Sequence, residues 1–263
     1  MPLDWKSISG PWDSGLAETR SSLEATAVPG LTLSGSFEFS GQVLFSDLEF
    51  RLQPGSWTCL LGASGAGKST LLRALAGLDT GGKFSGTVET DDREGVEDRI
   101  SYMAQSDLLF PWLTVRQNVS LGRRLRRQRV DESRLDQLIF DVGLREHCNK
   151  KPAQLSGGMR QRTALARTLM EGTPFVLLDE PFSALDSKTR SEMQSLAYRV
   201  LKGKTVLLVT HDIAEAMKLG NQLYILKDNN AMNHPLPSSL PVRDVNSREA
   251  LEAQARLIGA LNS

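Results

Sequence analysis

The sequence predicts an α/β fold in which a parallel sheet is preceded by a β-rich start and interrupted by a helical insertion. Three observations carry this. The apolar run Trp57–Leu61 leads directly into a glycine-rich loop and then into the helical stretch Ser69–Ala76, a strand–loop–helix order. Phe175–Leu178 and Val206–Val209 are short apolar runs separated by helical segments, the pattern of strands buried on both faces of a parallel sheet. Between about 107 and 170 the apolar residues recur at helical spacing, as in Leu135, Leu138, Ile139 and Val142.

Taken in order, residues 1–30 are rich in Ser, Gly, Thr and Pro around isolated Trp5 and Trp12, and are expected to form a disordered extension. From Leu31 to about 228 the texture is that of one folded domain. Phe37–Phe39, Leu48–Leu52 and Trp57–Leu61 read as strands, with Pro54-Gly55 a turn between the last two. Thr87–Glu89 and Ile100–Met103 read as further strands ahead of the insertion. The tail, 229–263, carries Pro235, Pro237 and Pro241 and is expected to be irregular until a short helix near 247–261.

Lys plus Arg and Asp plus Glu are equal at 31 each, so charge does not point to nucleic acid. No run approaches the roughly 18 apolar residues of a membrane span, and the start lacks the basic-then-apolar order of a secretory signal. Cys59 and Cys148 lie far apart and the three histidines are scattered, so neither a zinc site nor a disulfide framework is expected, and a reducing cytoplasm fits. Cys59 reads as small core filling, and His147 and His234 as surface residues. Arg123, Arg124, Arg126, Arg127 and Arg129 cover more than one helical face and read as a solvated surface.

The chemistry begins at Gly62-Ala63-Ser64-Gly65-Ala66-Gly67-Lys68-Ser69-Thr70, which fits G-x-x-x-x-G-K-[ST]. Gly62, Gly65 and Gly67 let successive N–H groups turn inward around a β-phosphate. The helix that follows points its positive end at the same anion. Lys68 is placed for the β- and γ-phosphates of a nucleotide and the Ser69 hydroxyl for Mg²⁺. Downstream, Phe175–Leu178 delivers two adjacent carboxylates, Asp179 and Glu180, to the sheet's C-terminal edge, where open α/β folds bind ligands. Neighbouring strand residues point opposite ways, so the two acids take different roles: Asp179 toward Mg²⁺, Glu180 toward the water that attacks the γ-phosphate.

Leu155-Ser156-Gly157-Gly158-Met159-Arg160-Gln161 resembles the signature of ATP-binding cassette (ABC) ATPases. Other elements follow in the family's order. Gln105 resembles the Q-loop glutamine, expected to meet Mg²⁺ and the attacking water. Ser183-Ala184-Leu185-Asp186 resembles the D-loop that runs along a partner subunit. His211 resembles the switch histidine that contacts the γ-phosphate, and Phe39 sits where the family places an aromatic that stacks on adenine. Over residues 31–228 the resemblance implies a P-loop NTPase cassette with a β-rich N-terminal subdomain and an inserted helical subdomain. It also implies ATP hydrolysis with Mg²⁺, and two cassettes closing on two ATPs. In that homodimer Ser156, Gly157, Gly158 and Gln161 would contact the nucleotide of the opposite subunit.

A phosphate-transferring kinase leaves Leu155–Gln161 and His211 unexplained. Soluble ABC ATPases of DNA repair or the ribosome would need coiled-coil or zinc insertions, or two cassettes, and none is present. The resemblance therefore implies the energy-coupling subunit of a bacterial importer, peripheral at the cytoplasmic face of the cell membrane and free of nucleic acid. The exposed apolar stretch Leu108–Val115 would form the groove for a permease's coupling helix, with a substrate-binding protein engaged indirectly. Pro111-Trp112-Leu113-Thr114-Val115 is similar to the nitrate, sulfonate and taurine importer group, with Phe110 in place of its Leu. The stretches Cys59–Gly62, Tyr102–Asp107 and Phe175–Asp186 look most like importers of hydroxymethylpyrimidine, a thiamine precursor.

Overall fold

A computed structural model describes residues 28–39, 41–63 and 65–262. The extension expected over 1–30 lies, apart from its last three residues, outside the described residues, as does Ser64.

The chain opens with β1 (Leu31–Phe39) and β2 (Gln42–Leu52), paired antiparallel, and β4 (Lys83–Thr90) joins β1 on its other side to complete a three-stranded sheet. Between them come β3 (Trp57–Gly62) and α1 (Lys68–Leu75). β3 belongs to a second, six-stranded sheet with β5 (Ile100–Met103), β6 (Phe175–Asp179), β7 (Thr205–Val209), β8 (Gln222–Lys227) and β9 (Asn230–His234). Its order is β5-β6-β7-β3-β8-β9, parallel throughout except for β9. Every residue of β3, β6 and β7 is buried, as the unbroken apolar runs require of central parallel strands.

The period of two along these strands divides the core. Cys59, Leu61, Val176, Leu178, Val206 and Leu208 face the helices, whereas Leu60, Phe175, Leu177, Leu207 and Val209 pack with Phe50 and Leu52 beneath the smaller sheet. Cys59 is fully buried, and burial pushes its thiol far above the ordinary range, in keeping with core filling.

The insertion contains α2 (Val115–Val119), α3 (Leu121–Leu125), α4 (Glu132–Asp141) and α5 (Gly157–Met170), with single 3₁₀ turns at Arg145–His147 and Pro152–Gln154. α2 starts at a capping box, in which the Thr114 hydroxyl accepts from Gln117 N–H and the Gln117 side chain accepts from Thr114 N–H. Beside it, fully buried Asn118 organises the loop 110–114. Its amide donates to the carbonyls of Phe110, Leu113 and Thr114 and accepts from Phe110 N–H. Asn118→Ala is expected to cost about 2–3 kcal/mol, because it strands several buried backbone groups at once. Urea unfolding checks the loss, and proteolysis within 108–114 should accelerate.

Three features differ from expectation. The tail is not irregular after 228: β8 and β9 form a hairpin about Asp228-Asn229, both at positive φ (48° and 63°), as a two-residue type I′ turn requires. α6 (Ser187–Val200) and α7 (Ile213–Leu219) pack on the main sheet, and α8 (Arg248–Asn262) buries Ala253 and Leu257 in the same core. The arginine run is not wholly solvated: Arg123 donates to the Glu171 carbonyl at 3.1 Å and Arg126 pairs with the Glu171 carboxylate, latching α3 to the end of α5. His147 and His234 are half-buried rather than at the open surface.

Candidate functional site

The glycine loop joins β3 to α1. Gly65 and Gly67 adopt φ of 84° and 90°, values that side chains resist. Gly62 is required for a different reason: a Cβ there would lie 2.7 Å from the Leu226 carbonyl oxygen. Lys68 is the first residue of α1 and is buried, its ammonium donating to the carbonyls of Gly62 (2.9 Å) and Ala63 (2.8 Å). Burial pulls its pKa down, and the carboxylates of Glu180 and Asp179 work against that.

The next residue of α1, Ser69, has its hydroxyl 2.9 Å from Asp179 Oδ1, to which it donates. The second carboxylate oxygen of Asp179 accepts from the Tyr102 hydroxyl, also at 2.9 Å. The phenol is pushed up to about 12, first by burial and then by the neighbouring Asp179 charge. Tyr102 is a site residue that sequence reasoning missed. It follows from topology, because β5 pairs with β6 and sets Tyr102 opposite Leu177, two positions before Asp179.

Glu180 takes the other direction. Its backbone is left-handed at φ 44°, with its N–H bonded to the Val209 carbonyl at 2.9 Å. This turns the carboxylate toward two residues from distant elements. Gln105 Nε2 donates to Glu180 Oε2 at 3.3 Å, and His211 Nδ1 lies 3.0 Å from the same oxygen. Ser183 joins them, its hydroxyl donating to the Glu180 carbonyl at 3.0 Å and accepting from Gln105 at 3.4 Å. Leu44, Gly65, Gly67, Lys68, Ser69, Thr70, Gln105 and Glu180 line a cavity of about 330 Å³.

The fold thus brings Lys68, Ser69, Gln105, Asp179, Glu180, Ser183 and His211 together around the loop. Ala63 contributes a carbonyl to Lys68, and Ala66 packs partly buried against the core under the small sheet. Phe39 is largely exposed at the end of β1, and it is Leu44 that lines the cavity. Ser156 caps α5, its hydroxyl accepting from Met159 N–H at 3.3 Å, and both it and Gly157 are exposed. Gly158 is buried where α5 crosses α6, since a Cβ there would meet Thr189 at 2.6 Å. Gln161, grouped with these as a contact to a partner's nucleotide, is buried instead. It donates to the Gln105 carbonyl at 3.3 Å, tying α5 to the segment after β5. Ala184 is exposed, Leu185 is buried, and Asp186 caps α6 by accepting from Thr189 N–H at 3.1 Å, which holds its carboxyl below the usual range.

A buried parallel strand, a glycine loop closing on a lysine ammonium, and an Asp-Glu pair at the end of β6, two strands away in the same sheet, define a P-loop NTPase domain. The chain belongs to the ABC transporter family, whose model matches residues 45–183, and as an ABC ATPase domain it binds ATP. An uncharacterized ABC transporter ATP-binding protein of Haemophilus influenzae is 44% identical over 194 residues, covering 73% of this chain and 79% of that protein. The aliphatic sulfonates import ATP-binding protein SsuB 1 of Rhodococcus jostii is 43% identical over 209 residues, 78% of this chain and 82% of the relative. The aliphatic sulfonates import ATP-binding protein SsuB of Bacillus subtilis is 41% identical over 197 residues, 73% and 76% of the two chains.

Proposed function

We propose that this chain is the ATP-hydrolysing, energy-coupling subunit of a bacterial importer, acting as a homodimer at the cytoplasmic face of the membrane. The observation that carries this reading is the convergence of Gln105 and His211 on one oxygen of Glu180, beside Lys68, Ser69 and Asp179. Glu180 is the base that takes a proton from the attacking water, and Gln105 and His211 fix its orientation. Lys68 and the N–H groups of the loop hold the β- and γ-phosphates. Ser69 Oγ and Asp179 Oδ1, hard oxygen donors 2.9 Å apart, fit a Mg²⁺ ion that keeps most of its ligands from water and phosphate. When bound, that ion neutralises charge building on the transferred phosphoryl group.

Phe39 is assigned to stacking on adenine. Ser156, Gly157 and Gly158, exposed or at the start of α5, form the anion-binding end that meets ATP held by the second copy, alongside Ser183–Asp186. Gln161 belongs to the Q-loop's support and not to that contact. Membrane partners dock at Leu108, Phe110 and Trp112, which are exposed, with Phe110 and Trp112 packed edge to face at 5.2 Å. A cleft of about 510 Å³ between β5 and α3 is lined by Leu121, Leu125 and Arg167 among others, and Arg167 also donates to the Leu108 carbonyl. Among the described residues no helix is long and apolar enough to cross a membrane.

For the cargo, the names of the relatives favour aliphatic sulfonates. The wording of Cys59–Gly62, Tyr102–Asp107 and Phe175–Asp186 favours hydroxymethylpyrimidine as the second reading. Uptake of labelled alkanesulfonate, taurine, nitrate and hydroxymethylpyrimidine, in cells carrying wild type or Glu180→Gln, separates the two. Selective loss of sulfonate uptake is the expected result, loss of hydroxymethylpyrimidine uptake replaces the cargo, and unchanged uptake throughout would overturn the importer reading for this panel.

A further inference from the structure

Arg190, in the first turn of α6, bridges two segments of the site that are remote in sequence. Its Nη2 donates to the Leu185 carbonyl at 2.9 Å and lies 3.5 Å from the Ser183 carbonyl, so it grips the loop between Glu180 and α6. Its Nη1 lies 3.5 Å from Asp212 Oδ2. Asp212 directly follows His211, and its other oxygen is already committed to capping α7 through the N–H groups of Ala214 and Glu215. The Arg190 Nε is buried without a partner, so the guanidinium stays in this bridging position although one donor goes unmatched. A buried layer alongside keeps the gap fixed: Gln194 of α6 donates to Glu215 of α7, and Lys218 of α7 donates to Gln194, each at 3.0 Å.

We infer that Arg190 is a positioning residue for hydrolysis, setting the Ser183–Leu185 loop and His211 at a fixed separation around Glu180. The loop side controls Ser183, which touches Gln105, and the Asp212 side controls His211, so Arg190 acts on both groups that orient the Glu180 carboxylate. The ion pair is about one-third exposed on each side, and such pairs contribute little to folding. Its effect should therefore fall on the rate. The inference rests on the role given to Glu180 above.

The test measures ATP hydrolysis and ATP affinity of the purified full-length chain. Arg190→Ala is expected to lower kcat about tenfold, a fraction of the ~100-fold that a 1 Å misplacement can cause, with ATP affinity changed less than about twofold. Arg190→Lys should recover part of the loss. Asp212→Asn keeps a competent helix cap, so it should fold, lose kcat similarly, and add nothing to Arg190→Ala in the double variant. If Arg190→Ala fails to fold, Asp212→Asn carries the test alone. Wild-type kcat in the folded variants, strictly additive losses, or a kcat loss equal to the unfolded fraction would overturn the inference. Glu180→Gln, run in parallel, separates the two readings: activity retained there overturns the role of Glu180, whereas an inactive Glu180→Gln beside a fully active Arg190→Ala overturns only the positioning role.

Discussion

Glu180→Gln should bind Mg·ATP about as well as wild type and hydrolyse it about 10²–10⁴-fold more slowly, the range that a positioned general base supplies. The amide is nearly isosteric and can still meet Gln105 and His211, which now hold the carboxylate at 3.3 and 3.0 Å, so the site keeps its shape. What it loses is an oxygen able to accept a proton from water. In the proposed dimer, closure depends on ATP while reopening depends on hydrolysis, so the variant should accumulate as a dimer in ATP. Single-turnover hydrolysis and size-exclusion chromatography with and without ATP read the two effects separately. A monomer at saturating ATP would contradict the sandwich even if hydrolysis were lost.

Lys68→Ala should act one step earlier, on binding itself. The ammonium is buried at the mouth of α1, where burial already disfavours its charge and where Asp179 and Glu180 are the compensating groups. An incoming phosphate adds the charge-assisted hydrogen bonds for which the lysine is positioned, each contributing about 1.5–3 kcal/mol. Losing two of them implies a fall in ATP affinity of about 10²-fold or more. The fold should survive, because the Gly62 and Ala63 carbonyls lose one donor each and under-satisfied carbonyls are tolerated better than orphaned N–H groups. Titration with a fluorescent ATP analogue checks the affinity, and thermal melting checks the fold. Retained affinity would sink the role given to Lys68.

What could be read from the chain beforehand was whatever a local pattern enforces. β6 and β7 were legible because strands buried on both faces must be continuously apolar, and the start of α1 because the glycines of the loop punctuate it. β9 was not, since Asn230–His234 lies at the sheet edge with little buried apolar surface, and its pairing depends on two left-handed residues at 228 and 229 that the sequence does not advertise as Asn-Gly would. Tyr102 and Leu44 escaped notice because they enter the site through strand neighbours and not through a motif. Gln161 was readable in principle: Gly158, Gln161, Leu165 and Thr168 recur at helical spacing on the buried face of α5, and that periodicity outweighs adjacency to the signature.

The loop carrying Phe110 and Trp112 is tied down from beneath. Asn118 holds its carbonyls, while Arg167 donates to the carbonyls of Asp107 and Leu108 at 2.7 and 2.8 Å. In the proposed docking, the apolar surface is therefore presented in its final shape before a membrane subunit arrives. Little chain entropy remains to be lost on docking, so the ordering cost of that contact is small. A rigid platform of this kind can also transmit force: displacement of α5 through Gln161 and Gln105 would move the docked segment as a body, with little of the motion absorbed in the loop.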